Sequence, residues 1–332
     1  LYPVPEMDES QAVDLFFQRA LRANPNFETA NRSKEVMDIC RLVDKLPLAI
    51  ELATGWTPFM SCAQIAEQIR NDVDFLASNL RNIPERHRSL RAVFDHSWGL
   101  LSAEEQDVLM RLSIFRGGWS TAEAAAVAGA SLPLLRALVE KSLVRVTDDG
   151  RNSGRNDLHD LMRRYTLEKL EASGELFGIQ RTHFNTYLAL AEAADARLRT
   201  HEQEECLAQL DLERDNLRAA LEWGMAQPAL IDETARLAIA LAWYWRIRSQ
   251  AIEGREWLER VLNLPSLAAS RRAALSFHAG HLAWMLGDYE TAFARQRESL
   301  SLWESLGEGG RLSAAFAQHA LGMTHYQLGN VK

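Results

Sequence analysis

The stretch RLVDKLPLAIELATGW (residues 41–56) decides how this chain is built. Val36, Ile39, Cys40 and Val43 recur at helical spacing, and Leu48, Ile50, Leu52 and Ala53 continue an apolar run beyond Pro47. A proline in a helix interior costs about 3 kcal/mol and removes a backbone donor, whereas in a first turn that N–H would have no intrahelical partner anyway. The stretch therefore predicts one helix ending near Asp44–Lys45, a second starting at Pro47, and a small apolar corner between them. What sits in that corner is the functional question.

Helix signals continue on both sides. Asp8 or Ser10 is placed to cap a helix carrying Ala12, Leu15, Phe16 and Ala20 that stops before Pro25, and Ser33 to cap the helix with Val36 and Ile39. Ser61 with Gln64, and Ser102 with Glu105, have the spacing of capping boxes. After Ser102 the texture changes. A helix with Val108, Leu109 and Leu112 is followed by STAEAAAVAG closed by Gly129, and then by SLPLLRALVEKS with Pro133 in its first turn. LVRV (143–146) alternates as a strand, TDDGRNSGRND reads as a loop, and LHDL returns the chain to a helix with Leu161, Tyr165 and Leu170 on one face, ending at Gly174. Three helices, a strand, a loop and a return is the order of a winged helix.

Beyond about residue 180 everything reads as helix. HAGHLAWMLGDYETA and HALGMTHYQLGNVK are similar to one another, with Gly280 matched to Gly322 and Gly287 to Gly329, an offset of 42 in both cases. Glycine in a packed first helix and Leu-Gly at the turn is the pattern of tetratricopeptide repeats, whose standard period is about 34. WYWRIRSQAIEGREWLERVL (243–262) reads as a more diverged unit of the same solenoid.

The fold expected is mainly α, in three parts. A helical subdomain occupies residues 1–88, a winged-helix domain with a small β wing residues 89–175, and a tetratricopeptide-like helical region residues 176–332, truncated at its end. A chain of 332 residues, 47% apolar and 25% charged, has the composition of soluble globular domains, and no apolar run reaches the roughly 20 residues that span a bilayer. Cys40, Cys62 and Cys206 are few, odd in number and embedded in helical patterns, which suits buried thiols in a reducing cytoplasm. The net charge of −8 argues against a chain that coats nucleic acid. The first residues, LYPVPEMDES, lack an initiator Met and open on a Pro-rich linker, as expected of a segment of a longer chain.

Self-contained chemistry is hard to find. A phosphate loop needs Gly-Lys followed by Ser or Thr, and all five lysines (Lys34, Lys45, Lys141, Lys169 and Lys332) follow a residue other than Gly. Asp148–Asp149, at the tip of the wing, reads as a solvated turn rather than a metal-binding strand end. His201 lacks the second His of a zinc protease motif, and His278 with His281 lacks a third ligand, so these read as packing or surface residues. The basic cluster Arg81, Arg86, Arg88 and Arg91 reads as a solvated or salt-bridged linker.

Two short stretches remain, LPLAIELA (46–53) and LHDLMRRY (158–165), about 110 residues apart with the winged-helix pattern leading into the second. Together they resemble the NB-ARC type of STAND nucleotide switch, the signal-transduction ATPases with numerous domains, and particularly the bacterial regulators with tetratricopeptide-like sensors. YPVPEMDESQAVDLFFQRA and PERHRSLRAVFDHSWGLLSAEEQDVLMRLSIFRGGWS are similar to that family's entries into the helical subdomain and the winged helix. The resemblance covers residues 1–175 and extends loosely to the solenoid. It implies that Pro47 packs against the adenine of bound ADP or ATP, that His159 reaches the β-phosphate of ADP, and that Asp160 completes the motif. Lys45 stands where the family has Gly, and Leu158 where it has Met.

The same resemblance places the phosphate loop and the magnesium-binding acids in a nucleotide-binding core preceding this segment. This chain alone is then not an enzyme, and the parent protein is an ATPase. Its expected partners are that core, a protein or small-molecule inducer at the solenoid, and further copies of itself on activation. A neutral or protonated His can donate to a phosphate oxygen, and an adjacent Asp can fix its orientation. Two rival readings are a winged-helix DNA-binding regulator and a protein-interaction scaffold. Against the first, the recognition helix SLPLLRALVEKS offers only Arg136 and Lys141 against Glu140, so direct DNA binding by this chain is not expected.

Overall fold

A computed structural model describes residues 7–25, 27–29, 32–71, 75–76, 90–147 and 154–329. The chain divides into two compact units. Residues 1–114 and 118–179 form the first, and residues 115–117 and 180–332 the second.

In the first unit, α1 (Glu9–Ala23), α2 (Ser33–Leu42), α3 (Pro47–Thr54) and α4 (Cys62–Asn71) pack around Phe16, Ile39, Ile50, Ile65 and Ile69, all fully buried. Asp8 caps α1 in a reciprocal box with Gln11, and Ser61 with Gln64 does the same for α4. Ser33, expected as a cap, is instead the first residue of α2. Arg32 holds the cap position, with no side-chain hydrogen bond.

Next come α5 (Leu90–Gly99), α6 (Ala103–Leu112), α7 (Thr121–Ala128), α8 (Leu132–Glu140), β1 (Arg145–Thr147), β2 (Arg155–Asp157) and α9 (Asp160–Ser173). This is the winged-helix order. Capping boxes at Ser102/Glu105 and Ser120/Glu123 start α6 and α7, and Gly129, at φ 68°, ends α7 in the left-handed conformation that glycine adopts without strain. β1 and β2 are antiparallel, with Arg145 opposite Asp157, and a bridge from Trp119 to Asn156 extends the pair.

The strand begins two residues later than its alternation suggests, because Leu143 and Val144 close α8. Both of their N–H groups donate to the Leu138 carbonyl after Ser142 turns at φ 58°. Asp148–Asp149 and Arg81, Arg86 and Arg88 lie outside the described residues. Arg91 forms an ion pair with Glu168 at 2.6 Å. The helical subdomain and the winged-helix elements thus belong to a single compact unit.

The second unit holds most of α10 (Leu176–Arg197), then α11 (Gln203–Leu212), α12 (Arg214–Met225), α13 (Ile231–Ile247), α14 (Ala251–Leu262), α15 (Ala269–Met285), α16 (Tyr289–Ser305) and α17 (Arg311–Gln327). Consecutive helices pack from α12 to α17, and α13 also meets α15, the next-nearest contact of a solenoid. Gly254 lets α14 lie on Trp245 of α13, since a Cβ there would sit 2.7 Å from the Trp245 Cβ. Gly280 does the same for α15 against α16. Gly287 and Gly329, the matched turn glycines, share a left-handed φ of 78° and 72°. Cys40, Cys62 and Cys206 are buried free thiols. Among the described residues no single helix is long and apolar enough to cross a membrane.

Candidate functional site

The corner between α2 and α3 is built by two successive left-handed residues, Asp44 at φ 53° and Lys45 at φ 56°. The Lys45 N–H reaches back to the Cys40 carbonyl at 2.8 Å, and the Leu46 N–H to that of Val43 at 3.0 Å, so the end of α2 is closed by its own backbone. The left-handed end that glycine would make easily is therefore kept without glycine. Leu46 then caps α3 with extended backbone and no side-chain hydrogen bond, and Pro47 opens the helix as expected. The Pro47 ring is exposed, while Ala49, Ile50 and Ala53 behind it are buried.

His159 arrives at the same corner from the N-terminus of α9, where it occupies the cap position. Its Nδ1 lies 2.6 Å from Asp44 Oδ2, and the Asp160 backbone N–H donates to that same oxygen at 3.2 Å. A carboxylate only accepts, so Nδ1 carries the proton and donates. The Nε2 atom makes no hydrogen bond among the described residues. In the neutral ring it is a lone pair, and in the imidazolium it is a donor. Burial pushes the Asp44 carboxyl up. The His159 hydrogen bond, the charges of His159 and Arg145, and the Asp160 N–H together outweigh that and hold it below the ordinary carboxylate value.

Arg145, which interrupts the apolar pattern of the wing strand, bridges two acids. It contacts Asp44 at 3.4 Å and its cross-strand neighbour Asp157 at 2.8 Å. Arg163, almost wholly buried one turn into α9, completes the set by donating to Asp157 at 2.8 Å and to the Leu158 carbonyl at 3.0 Å. A second tie runs from Arg164 of α9 to the Ile69 carbonyl in the last turn of α4, at 2.6 Å.

Of the three residues singled out from sequence, His159 meets the α2–α3 corner directly. Pro47 stands on that corner, three positions beyond Asp44. Asp160 contributes its backbone N–H, whereas its carboxylate is 74% exposed and only approaches Arg163, at 3.6 Å. The carboxylate that orients His159 is thus Asp44's rather than that of the adjacent Asp160. Asp44, Arg145, Asp157 and Arg163 were not legible as site residues. The only local signal for Asp44 is its place immediately before Lys-Leu-Pro.

Two sets of groups at this corner could hold a ligand. The first-turn N–H groups of α3 have no side-chain cap, and they lie beside an exposed proline ring that carries no donor of its own. The imidazole has one nitrogen fixed and one uncommitted, and Arg145 Nη1 lies 3.4 Å from the fixed one. No group of three or more His, Cys, Asp or Glu side chains suited to a metal ion occurs among the described residues.

The tetratricopeptide-repeat family profile matches residues 270–332. A protein of Mycobacterium tuberculosis described provisionally as an HTH-type transcriptional regulator is 36% identical over 297 residues, covering 85% of this chain and 33% of that protein. Its counterpart in Mycobacterium bovis matches equally. An uncharacterized protein of Mycobacterium tuberculosis is 33% identical over 175 residues, covering 50% of this chain and 44% of its own length. The chain therefore spans about a third to under a half of the length of these relatives. A STAND protein with a tetratricopeptide-repeat sensor from Pyrococcus horikoshii aligns with 97% of this chain and 57% of its own, at 13% identity and a TM-score of 0.28. That score is too low for the two arrangements to correspond residue by residue.

Proposed function

We propose that this chain is the regulatory part of an ADP/ATP-dependent signal-transduction switch of the NB-ARC type. In it, a helical-repeat region senses an inducer and favours an open, oligomerising state. The observation that carries the reading is the 2.6 Å contact between Asp44 and His159. It brings together the Leu-Pro-Leu-Ala corner and the His-Asp motif, the two stretches that together resemble that family.

Pro47 and the first-turn N–H groups of α3 would receive the adenine, and His159 the β-phosphate. The phosphate loop and magnesium-binding acids would come from a core preceding Leu1. Bound ADP supplies a charged diphosphate at which the helical subdomain and the winged helix are both held. The residues of this chain do the rest. Asp44 fixes the ring of His159 by accepting from Nδ1, and leaves Nε2, a donor in the imidazolium, to meet the phosphate. Arg145 and Arg163 keep Asp44 and Asp157 compensated in a half-buried setting. An inducer opens the switch only through different affinities for the closed and open arrangements.

The relatives' description as transcriptional regulators favours a second reading, DNA binding by the winged helix. The α8 helix speaks against it. Arg136 is paired with Glu140 at 2.8 Å and Lys141 with Glu105 at 2.6 Å, so both of its cations are already engaged. DNA contact would belong to another part of the protein.

The test is the nucleotide content of the longer protein carrying a phosphate loop upstream of this chain. Purification with about one ADP per chain, exchangeable for ATP, is the expected result. A nucleotide-free protein that neither binds nor exchanges ADP overturns the reading. Residues 1–332 alone should release no phosphate from ATP.

A further inference from the structure

The second unit contains a groove of about 780 Å³ lined by α13, α15, α16 and α17 together with Arg199, which follows α10. That volume lies in the range of small-molecule sites. Its walls include Trp243, Trp284, His278 and His281.

Charge is concentrated in this groove. Most other arginines of the unit meet carboxylates, as Arg218 does Glu253, Arg236 does Glu192 and Arg295 does Glu259, while Arg260 lies alone over Trp257. In the groove, the guanidiniums of Arg199 and Arg246 both sit over one indole, Trp243, at 4.7 and 4.4 Å from its centroid. Arg246 has no carboxylate in ion-pair reach among the described residues, and Arg199 has only Asp195, at 3.9 Å. Two like charges over one indole repel each other, and no acidic side chain among those lining the groove offsets them.

The imidazoles add polarity without charge. Burial first, then His281 and the arginines Arg199 and Arg246, hold His278 down to about 3, and burial with Arg246 holds His281 down to about 4. The Trp284 indole N–H is buried with no acceptor. The groove thus presents flat apolar walls, uncommitted neutral donors, and a concentrated positive charge at one place.

We propose that this groove binds a small amphipathic organic anion, with a carboxylate or sulfonate on Arg246 and Arg199 and a flat apolar body against the tryptophans. This deepens the sensor reading by giving the inducer a chemical class, and it rests on that reading for any effect on switching but not for binding itself.

The test uses two probes of the same shape, anionic 1-anilinonaphthalene-8-sulfonate and neutral N-phenyl-1-naphthylamine, titrated fluorimetrically against the full chain. One sulfonate probe per chain should bind, more tightly than the neutral one. Arg246→Gln should weaken the anionic probe by about ten- to a hundredfold, the scale of a lost charge-assisted hydrogen bond. The neutral probe should change less than about twofold, and far-UV circular dichroism should be unchanged. Arg199→Gln, at a more exposed side chain, should weaken the anionic probe in the same direction with circular dichroism unchanged. Equal binding of both probes, or indifference of the anionic probe to both substitutions, overturns the site and leaves the sensor reading standing. Anion-selective binding that has no effect on nucleotide exchange in the longer protein upholds the site and overturns only its coupling to the switch.

Discussion

His159 Nδ1 and Asp44 Oδ2 meet at 2.6 Å across 115 positions of sequence, and that bond clasps the winged-helix end of the first unit to its helical subdomain. Both side chains are largely removed from solvent, at 21% and 15% exposure, so water does not replace the bond freely when it is cut. A hydrogen bond to a charged group contributes about 1.5–3 kcal/mol. Asp44→Ala should lower stability in urea by that amount, since it also strips the Asp160 N–H and Arg145 of their acceptor. Asp44→Asn keeps an acceptor and tolerates the left-handed backbone, and should cost about half as much or less. Equal midpoints for wild type and Asp44→Ala would show that the clasp adds nothing.

The acid limb of stability tests the same group. Asp44 is held below the ordinary carboxylate value in the folded chain, so its contribution is complete above that value and is lost as pH falls through the lowered one. The difference between wild type and Asp44→Asn should therefore be constant near neutral pH and shrink only at pH below the ordinary carboxylate range. Urea midpoints of both proteins along a pH series measure it. A difference that grows on acidification would reverse the assignment.

Lys45 carries a cost that glycine would not. A side chain at φ 56° is strained by about 1–2 kcal/mol, against which glycine gives up about 0.5–1 kcal/mol of chain entropy. Lys45→Gly should be neutral or raise stability by up to about 1 kcal/mol, measured by denaturant melts. A loss of more than that would mean that the lysine side chain makes contacts that outweigh its backbone.

The corner was legible in sequence because Pro47 is a local statement: one residue forbids a continuous helix and permits a new one. The capping boxes at Ser61 and Ser102 and the helix end at Gly129 were legible for the same reason. The partners of His159 were not. Asp44 reaches it through two left-handed residues that are neither Gly nor Asn, and Arg145 faces Asp157 only once the hairpin register is set. His278 and His281 read as packing or surface side chains, because what makes them part of a groove is Arg199, from the turn after α10, and Trp243 and Arg246 of α13. The start of β1 was misplaced because Leu143 and Val144 have strand-like side chains, while their N–H groups close α8.

The solenoid offers a paired test of helix packing. Gly254→Ala would place a methyl 2.7 Å from Trp245 Cβ and 2.9 Å from a Leu282 methyl, and should cost about 1–3 kcal/mol, as overpacked cores do. Gly322 in α17, the match of Gly280, has nothing within 4 Å of such a methyl. Gly322→Ala should stabilise by about 0.5–1 kcal/mol through helix propensity alone. Opposite shifts in thermal midpoint for the two variants are expected, and shifts of the same sign would remove the packing explanation.

The last prediction concerns switching in the longer protein. If His159 donates from Nε2 to the β-phosphate of ADP only in the closed arrangement, losing that bond shifts the closed-to-open ratio by roughly ten- to a hundredfold, from the same 1.5–3 kcal/mol. His159→Ala should lose co-purified ADP and oligomerise without inducer. Asp44→Asn, which keeps an acceptor for the ring but weakens the bond that fixes it, should move in the same direction by less. Pro47→Ala should differ in kind, because adenine packing is lost for ADP and ATP alike, so both affinities fall while the dependence on inducer remains. Bound nucleotide, by chromatography of the denatured protein, and assembly state, by light scattering, separate the three. Should His159→Ala keep its ADP and stay inducer-dependent, His159 is a structural ligand of Asp44, and the clasp holds the first unit together without sensing nucleotide.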